Sequence, residues 1–476
     1  MAGDGNGGDG TTRGPVRAGA GEATPFGLVG RTLGHSYSPR IHEVLGSVPY
    51  GLIELPDEDA VRAFLARREF RGVNVTMPYK RVALRCCDEL SEVASRLGNV
   101  NTVVRRPDGT LYGDNTDYHG FRRMMGGLAG PDCARGRTCL VMGDGGASLT
   151  VRAALADMGA SEVLVASRRG ELTYGRIAED PGLRGRVEVL VNTTPVGMYP
   201  HADDGLLLDP ADFPRLACVA DIVYNPLRTR LVQRARELGV VAGGGLAMLV
   251  AQARRSSDLF LGVERDGGAE SDALGRVRAS LLNVALIGMP GAGKSGVGRR
   301  LAELLGKEFV DVDDMVALEA GMPVPEIFER RGERGFRDLE VACTARACAR
   351  PNRVIATGGG VVTRPENLAS LRSNGVVVLL TRGLGDSEQD ALSVEGRPMS
   401  QTKGISRLRE EREATYRAWA DLAQGPSPQG PLHVAAELAR QLAARGLAPQ
   451  LAEAPGPAPA PEAGDRVGDG SKGGAL

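Results

Sequence analysis

Short apolar runs recur along the chain, each bounded by glycine or polar residues and each next to a stretch of helical periodicity. FGLVG (26–30), GVNVTM (72–77), RTCLVMG (137–143), SEVLVA (161–166), VEVLVNTT (187–194) and CVADIVY (218–224) read as buried strands. Strands alternating with helices predict an α/β fold with largely parallel sheets, because a parallel pair needs a helical crossover. The rhythm restarts at NVALIG (283–288) and continues through EFVDVD (308–313), RVIATGG (353–359) and GVVVLL (375–380). Ser271 to Leu281 reads as a helix closing the first series, leaving almost no linker before Asn283.

A length of 476 residues exceeds one hydrophobic core and fits two domains plus tails. Residues 1–24 are Gly-rich without an apolar core, and residues 446–476 are rich in Pro, Ala and Gly; both read as disordered tails, the first not as a secretory signal. With 42% hydrophobic residues, 25% charged residues and no apolar stretch approaching the roughly 20 residues that span a bilayer, the expectation is a cytoplasmic protein with no membrane role. The net charge of −1 comes without a long basic run, so the electrostatic footprint of a nucleic-acid binder is missing and small-molecule substrates are expected. Seven cysteines without CxxC spacing point to reduced structural thiols. Nothing in the pattern dictates an oligomeric state.

Two glycine-rich loops bring in chemistry. The first, VMGDGGAS (141–148), lies between the strand CLVMG and a helix, with a second strand, EVLVASRR, beyond. Gly143, Gly145 and Gly146 would let the backbone approach a pyrophosphate seated on the helix N-terminus, although an ordinary turn of this composition looks the same. After the second strand stand Ser167, Arg168 and Arg169, where an acid would hold the ribose of NAD; arginine there suits a 2′-phosphate, so NADP(H) is expected. Asp144 within the turn must point away from that phosphate. The second loop, GMPGAGKS (288–295), follows the strand NVALI and opens a helix, the context of a P-loop. Backbone N–H groups from Gly291, Ala292 and Gly293 to Gly296 would cradle the phosphates of ATP, Lys294 would reach the β- and γ-phosphates, and Ser295 would ligate Mg²⁺.

The polar clusters HSYSP (35–39), NVTMPYK (74–80), GNVNT (98–102), GDNTD (113–117), NTTPVGM (192–198), DIVYNPLRT (221–229) and GLAMLVAQA (245–253) together resemble shikimate dehydrogenase, from about Phe26 to Leu281. The resemblance implies that Ser36, Ser38, Thr76, Asn101 and Gln252 hold the hydroxyls and carboxylate of shikimate, with Lys80 and Asp117 as the catalytic pair. It implies that Ala147, Tyr224, Gly245 and Met248 line the cofactor side. It also implies a substrate-binding domain over 25–130 completed by 245–281, and a Rossmann NADP domain over 131–244. The chemistry agrees, because ketone reduction places negative charge on oxygen and an ammonium beside a carboxylate can stabilise that charge and relay a proton. In isolation Lys80 and Asp117 would read as surface charges. His35, His42 and His119 read as packing or supporting hydrogen bonds. Glu43, Asp144 and Ala247 depart from the family pattern, and the stretch from Arg169 to Val187 is shorter than the corresponding family segment.

In the second half, DVDD (311–314), GERGFRDLE (332–340), TGGG (357–360), GRP (396–398) and REEREATY (409–416) resemble shikimate kinase, a P-loop α/β domain placed here over 282–445. The resemblance implies Asp311 near the metal, and Asp313, Arg337, Gly358, Gly359, Gly360 and Arg412 on shikimate. Arg397 would reach in from a lid. Two planar guanidinium forks suit one carboxylate, and Asp313 can accept from the reacting hydroxyl. Gly296 and the acidic stretch 382–395 depart from the family pattern. The combined expectation is a bifunctional enzyme: NADPH-dependent reduction of 3-dehydroshikimate to shikimate, then MgATP-dependent phosphorylation. A catabolic quinate or shikimate dehydrogenase and a metabolite-sensing regulator without catalysis are the alternatives.

Overall fold

The computed structural model describes residues 25–34, 36–202, 204–381 and 405–448. Within them lie three sheets. The first holds β1 (Phe26–Gly30), β2 (Tyr50–Glu54), β3 (Gly72–Val75), β4 (Glu89–Leu90), β5 (Thr102–Arg105) and β6 (Leu111–Asp114), in the order β2-β1-β3-β5-β6-β4. Its β1, β2 and β3 are parallel, but β5 runs antiparallel to both β3 and β6. This departs from the all-parallel tendency for a local reason: the tip Pro107–Asp108–Gly109 makes a tight hairpin, Asp108 accepting from Thr110 N at 2.9 Å and Gly109 taking φ +86°. GNVNT and GDNTD thus lead into and follow paired strands.

The second sheet, β11-β10-β9-β7-β8, is wholly parallel and comprises β7 (Thr138–Met142), β8 (Glu162–Ala166), β9 (Val187–Asn192), β10 (Cys218–Asp221) and β11 (Val241–Gly243). After β11 the chain returns to the first sheet through the helices Leu246–Leu261 and Gly267–Leu281, which bury Val250, Ala253, Ala273 and Val277 against Ile41 and Leu45. Gly72 permits this return, because a Cβ there would fall 2.0 Å from the Phe260 ring.

The third sheet, β13-β14-β12-β15-β16, is again parallel, with β12 (Asn283–Ile287), β13 (Glu308–Asp311), β14 (Arg353–Ala356), β15 (Gly375–Leu380) and β16 (Leu422–Gln424). Only Leu282 separates the helix Gly267–Leu281 from β12, and Lys307 donates to the carbonyls of Ala279 (3.2 Å) and Leu282 (2.9 Å) across the junction. Apolar clusters cover both faces of the second and third sheets, as continuous apolar strands require. All seven cysteines are free. Among the described residues no helix is long and apolar enough to cross a membrane.

Candidate active sites

Lys80 opens the helix Lys80–Cys86 just after β3, and Asp117 lies in the first turn of the helix Thr116–Ala129 just after β6. Asn115 caps that second helix by accepting from Tyr118 N at 3.2 Å, which fixes the turn that carries Asp117. The fold brings the two side chains together, with Lys80 Nζ 2.5 Å from Asp117 Oδ2 and about a fifth of each side chain exposed. They line a cavity of about 300 Å³ with Ser36, Ser38, Thr76, Asn101, Ala147, Tyr224, Gly245, Met248 and Gln252. Ser36 Oγ is oriented by accepting from Ser38 N at 3.2 Å.

The floor of this cavity is a neutral hydrogen-bond network. Asn101 Oδ1 accepts from Thr116 N at 2.7 Å; Thr116 Oγ1 reaches Gln252 Oε1 at 3.3 Å and Ser256 Oγ at 3.1 Å. Asn74 Nδ2 donates to Ser256 Oγ (2.8 Å) and Thr102 Oγ1 (3.0 Å), while Asn74 Oδ1 accepts from Tyr50 at 2.8 Å. Sequence reasoning assigned no role to Asn74, Thr116, Ser256 or Tyr50. Asn74, Thr116 and Thr102 lay inside quoted motifs, but only the fold reveals the contacts. Beneath it His42 stacks on Tyr50 at 4.0 Å and bonds Ser47 Oγ at 2.7 Å; full burial pulls its imidazole down to about 3. That is the packing role expected of it, while His35 lies outside the described residues.

Of the first glycine turn only Ala147 faces this cavity. Gly143 takes φ +104° and sits where a Cβ would meet Thr193 Oγ1 at 2.8 Å, whereas Gly145 is open and Gly146 begins the helix Gly146–Asp157. The helix therefore presents its first N–H groups at an unobstructed turn, the geometry a pyrophosphate requires. Asp144 is exposed and lies near Tyr174. Ser167 is buried, its Oγ without a partner among the described residues; Arg168 and Arg169 are exposed and form no ion pair with the described residues. Arg168 and Arg169 are thus the exposed cations that follow β8.

The second site surrounds the loop 288–295. Gly288, Gly291 and Gly293 take φ +146°, +78° and +80°, the turn geometry that points successive N–H groups inward, and Gly293 leads into the helix Lys294–Leu305. Lys294, nearly buried, donates to the carbonyls of Gly288 (2.9 Å) and Met289 (3.0 Å). Ser295 Oγ donates to Asp311 Oδ2 at 2.6 Å, so the two residues expected at the metal are adjacent. One hydroxyl and one carboxylate, with remaining positions left to phosphates and water, fit a hard cation such as Mg²⁺.

A cavity of about 430 Å³ gathers Gly291, Gly293, Lys294, Ser295, Gly296, Asp313, Arg337, Gly358, Gly359, Gly360 and Arg412. Ala292 instead packs towards the core beneath the loop, and Arg397 lies outside the described residues. Sequence reasoning missed Glu340. Wholly buried, it binds Arg337 Nη1 at 2.7 Å; burial raises its carboxyl pKa and Arg337 opposes the rise. The TGGG turn is glycine by necessity. A Cβ on Gly360 would fall 2.0 Å from Arg337 Nη2, on Gly359 2.7 Å from Pro290 Cγ, and on Gly358 2.6 Å from Glu340 Oε1. Arg412 Nη1 and Tyr416 OH both donate to Gly359 O, the former at 2.8 Å. Arg337 Nε and Arg412 Nε are buried without a partner among the described residues, donors available to an anion. A further cavity, about 840 Å³ between the helices Thr116–Ala129 and Gly267–Leu281, is lined by none of the expected site residues.

A family model described as shikimate kinase matches residues 290–443, and one described as shikimate dehydrogenase substrate binding domain matches residues 28–103. A shikimate dehydrogenase (NADP(+)) of Dinoroseobacter shibae is 36% identical over 256 residues, covering 50% of this chain and 91% of its own. The corresponding protein of Methanopyrus kandleri is 35% identical over 269 residues, covering 51% and 92%. Among solved structures, a shikimate kinase from Acinetobacter baumannii in complex with shikimate is 32% identical over 35% of this chain and 96% of its own, with a TM-score of 0.33.

Proposed function

Because the chain belongs to the shikimate dehydrogenase family and continues into a shikimate kinase domain, we propose that it catalyses two consecutive steps on one carbocyclic acid. The first half reduces 3-dehydroshikimate to shikimate with NADPH, and the second phosphorylates shikimate with MgATP. The observation that carries the reading is the convergence of each half's charged groups on its own cavity, Lys80 with Asp117 in one and Lys294, Arg337 and Arg412 in the other. Both steps take small-molecule substrates in the cytoplasm.

In the first cavity Ser36, Ser38, Thr76, Asn101 and Gln252 hold the substrate's carboxylate and hydroxyls, pre-oriented by the network beneath them. When bound, the reduced nicotinamide supplies hydride. As charge grows on the carbonyl oxygen, the Lys80 ammonium stabilises it and gives up a proton, and Asp117 fixes that ammonium in place. Tyr224, Gly245 and Met248 bound the cofactor side, and Arg168 and Arg169 select the phosphorylated ribose. In the second cavity Arg337 and Arg412 fix the carboxylate, and Asp313 accepts from the attacking hydroxyl. Lys294 and the loop N–H groups neutralise the phosphates, while Ser295 and Asp311 would hold Mg²⁺, which offsets charge on the transferring group.

The test is a coupled assay starting from 3-dehydroshikimate with NADPH and MgATP. Formation of shikimate 3-phosphate through free or transferred shikimate is expected. Preference for NADH, or shikimate left unphosphorylated, would defeat the corresponding half of the reading.

A further inference from the structure

Residues 221–229 form a closed loop with two working faces. Its base is tied by Thr229 Oγ1, which donates to Asp221 Oδ2 at 2.6 Å, while Asp221 Oδ1 accepts from Asn192 Nδ2 and Val223 N, both at 3.0 Å. One face enters the first cavity: Tyr224 lines it beside Gly245 and Met248, and its ring lies 5.5 Å from that of Tyr37. The backbone of Ile222 and Leu227 presses so closely on Gly245 and Gly244 that a Cβ there would lie 2.0 and 2.5 Å from their carbonyl oxygens. A shift of the loop is therefore passed to Gly245, which lines the same cavity.

The other face grips the second half. Leu227 N donates to Asn374 Oδ1 at 2.8 Å, Arg228 N to Ser373 O at 2.9 Å, and Arg228 Nη2 to Gly375 O, the first residue of β15. Gln233 Nε2 bridges Arg228 O (3.1 Å) and Ala369 O (3.2 Å), and Tyr199 OH meets Ser373 Oγ at 2.9 Å. Among the described residues no carboxylate lies within ion-pair distance of Arg228, and the hydrogen bonds it donates go to main-chain carbonyls of the other half. The receiving helix, Glu366–Asn374, is itself fixed, by Asn374 Nδ2 on Cys348 O at 3.1 Å and Asn367 Nδ2 on Val361 O at 2.9 Å.

We propose that Leu227 and Arg228 are positioning residues for the first half's reaction: the docked second half holds the loop 221–229 so that Tyr224 and Gly245 complete the cofactor side of the cavity. NADPH affinity in the first half thus depends on contacts made by the second. This rests on the dehydrogenase reading of that cavity. It also assigns the near-absence of a linker a purpose, since a short junction keeps the two faces in register.

The experiment uses the full chain with Arg228→Ala, Arg228→Lys and Asn374→Ala, reading NADPH Kd by fluorescence titration, steady-state kinetics of both activities, and hydrogen exchange over 222–229. Arg228→Ala and Asn374→Ala are expected to weaken NADPH binding about tenfold, with faster exchange in the loop and little change in the second half's kcat. Arg228→Lys keeps a donor and recovers most of the affinity. An NADPH Kd within about twofold of the unaltered chain, despite faster loop exchange, overturns the proposal. So does a uniform loss of both activities with early melting, which marks a merely structural contact. An unaltered chain that binds NADPH without turnover counts against the functional reading alone.

Discussion

The two cavities, proposed to take the same acid, are lined in opposite ways. The first is lined by hydroxyls and amides that satisfy one another and carry no formal charge, with Lys80 as its one cation among the described residues, the group proposed to meet the reacting oxygen. The second presents two guanidinium groups, one clamped by the buried Glu340 and the other by Gly359 O, and Gly360 leaves room for the first by lacking a Cβ. The difference follows from the chemistry. Ketone reduction needs one localised proton donor, and further cations would compete with it. Phosphoryl transfer moves a highly charged group, so a dense field of positive charge is an asset. The second site consequently depends on buried charge being balanced, and the first does not.

The sharpest way to separate the halves is to remove the central ammonium of each. Lys80→Ala should lower the reduction rate by roughly 10²–10⁴-fold and leave phosphorylation intact, as read by separate assays of the two steps. Lys294→Ala should do the reverse, at a cost of roughly 10²–10³-fold. Loss of both steps from either change would mean that the halves do not act independently. Next in size is Glu340→Ala, which takes away the buried partner of Arg337 and leaves it only the more distant Glu333, at 3.6 Å; breaking a buried pair costs about 3–5 kcal/mol. Calorimetry should show a separate, lower melting transition for the second half, together with a raised KM for shikimate. Equal melting of both halves would tell against this difference between the two sites.

A third difference is one of pH. His42 is neutral when folded because burial pulls it from 6.5 to about 3, so only the unfolded chain takes up its proton as pH falls below 6.5. Stability contributed by this site is complete above that value and is lost towards pH 3, at about 1.4 kcal/mol per unit within the window. Melting temperatures between pH 7 and 5 should therefore drop for the first half, and His42→Asn should flatten the slope; an unchanged slope would exclude His42 as its source. The smallest effect concerns the cofactor. Replacing Arg168 and Arg169 by alanine should reduce discrimination of NADPH over NADH by about tenfold, the loss of one charge-assisted hydrogen bond, measured as a ratio of kcat/KM values.

Much of this was legible before any tertiary contact was known. The apolar runs 26–30, 137–143, 283–288 and 375–380 all became strands, and the helix ahead of Asn283 runs directly into β12. The hairpin β5–β6 escaped notice even though its Pro-Asp-Gly tip is a plain turn signal, because its flanking residues read more strongly as polar motifs. Glu340 escaped for another reason. It sits within a quoted motif, but as one of several acids on an arginine-rich helix, where solvated charge is the ordinary expectation and burial alone sets it apart.

Sequence by itself determined the periodicity, the two glycine loops with their flanking strands and helices, and the residue types available for chemistry, since each rests on interactions spanning a few residues. The tertiary structure decided which of those residues meet. Lys80 and Asp117 are 37 residues apart in sequence and 2.5 Å apart in space because β3 and β6 lie in one sheet with β5 between them. Likewise, only the docking of Leu227 and Arg228 on Ser373, Asn374 and Gly375 joins one cavity's wall to the other half. Such meetings depend on strand order and helix crossovers, and no local pattern encodes them.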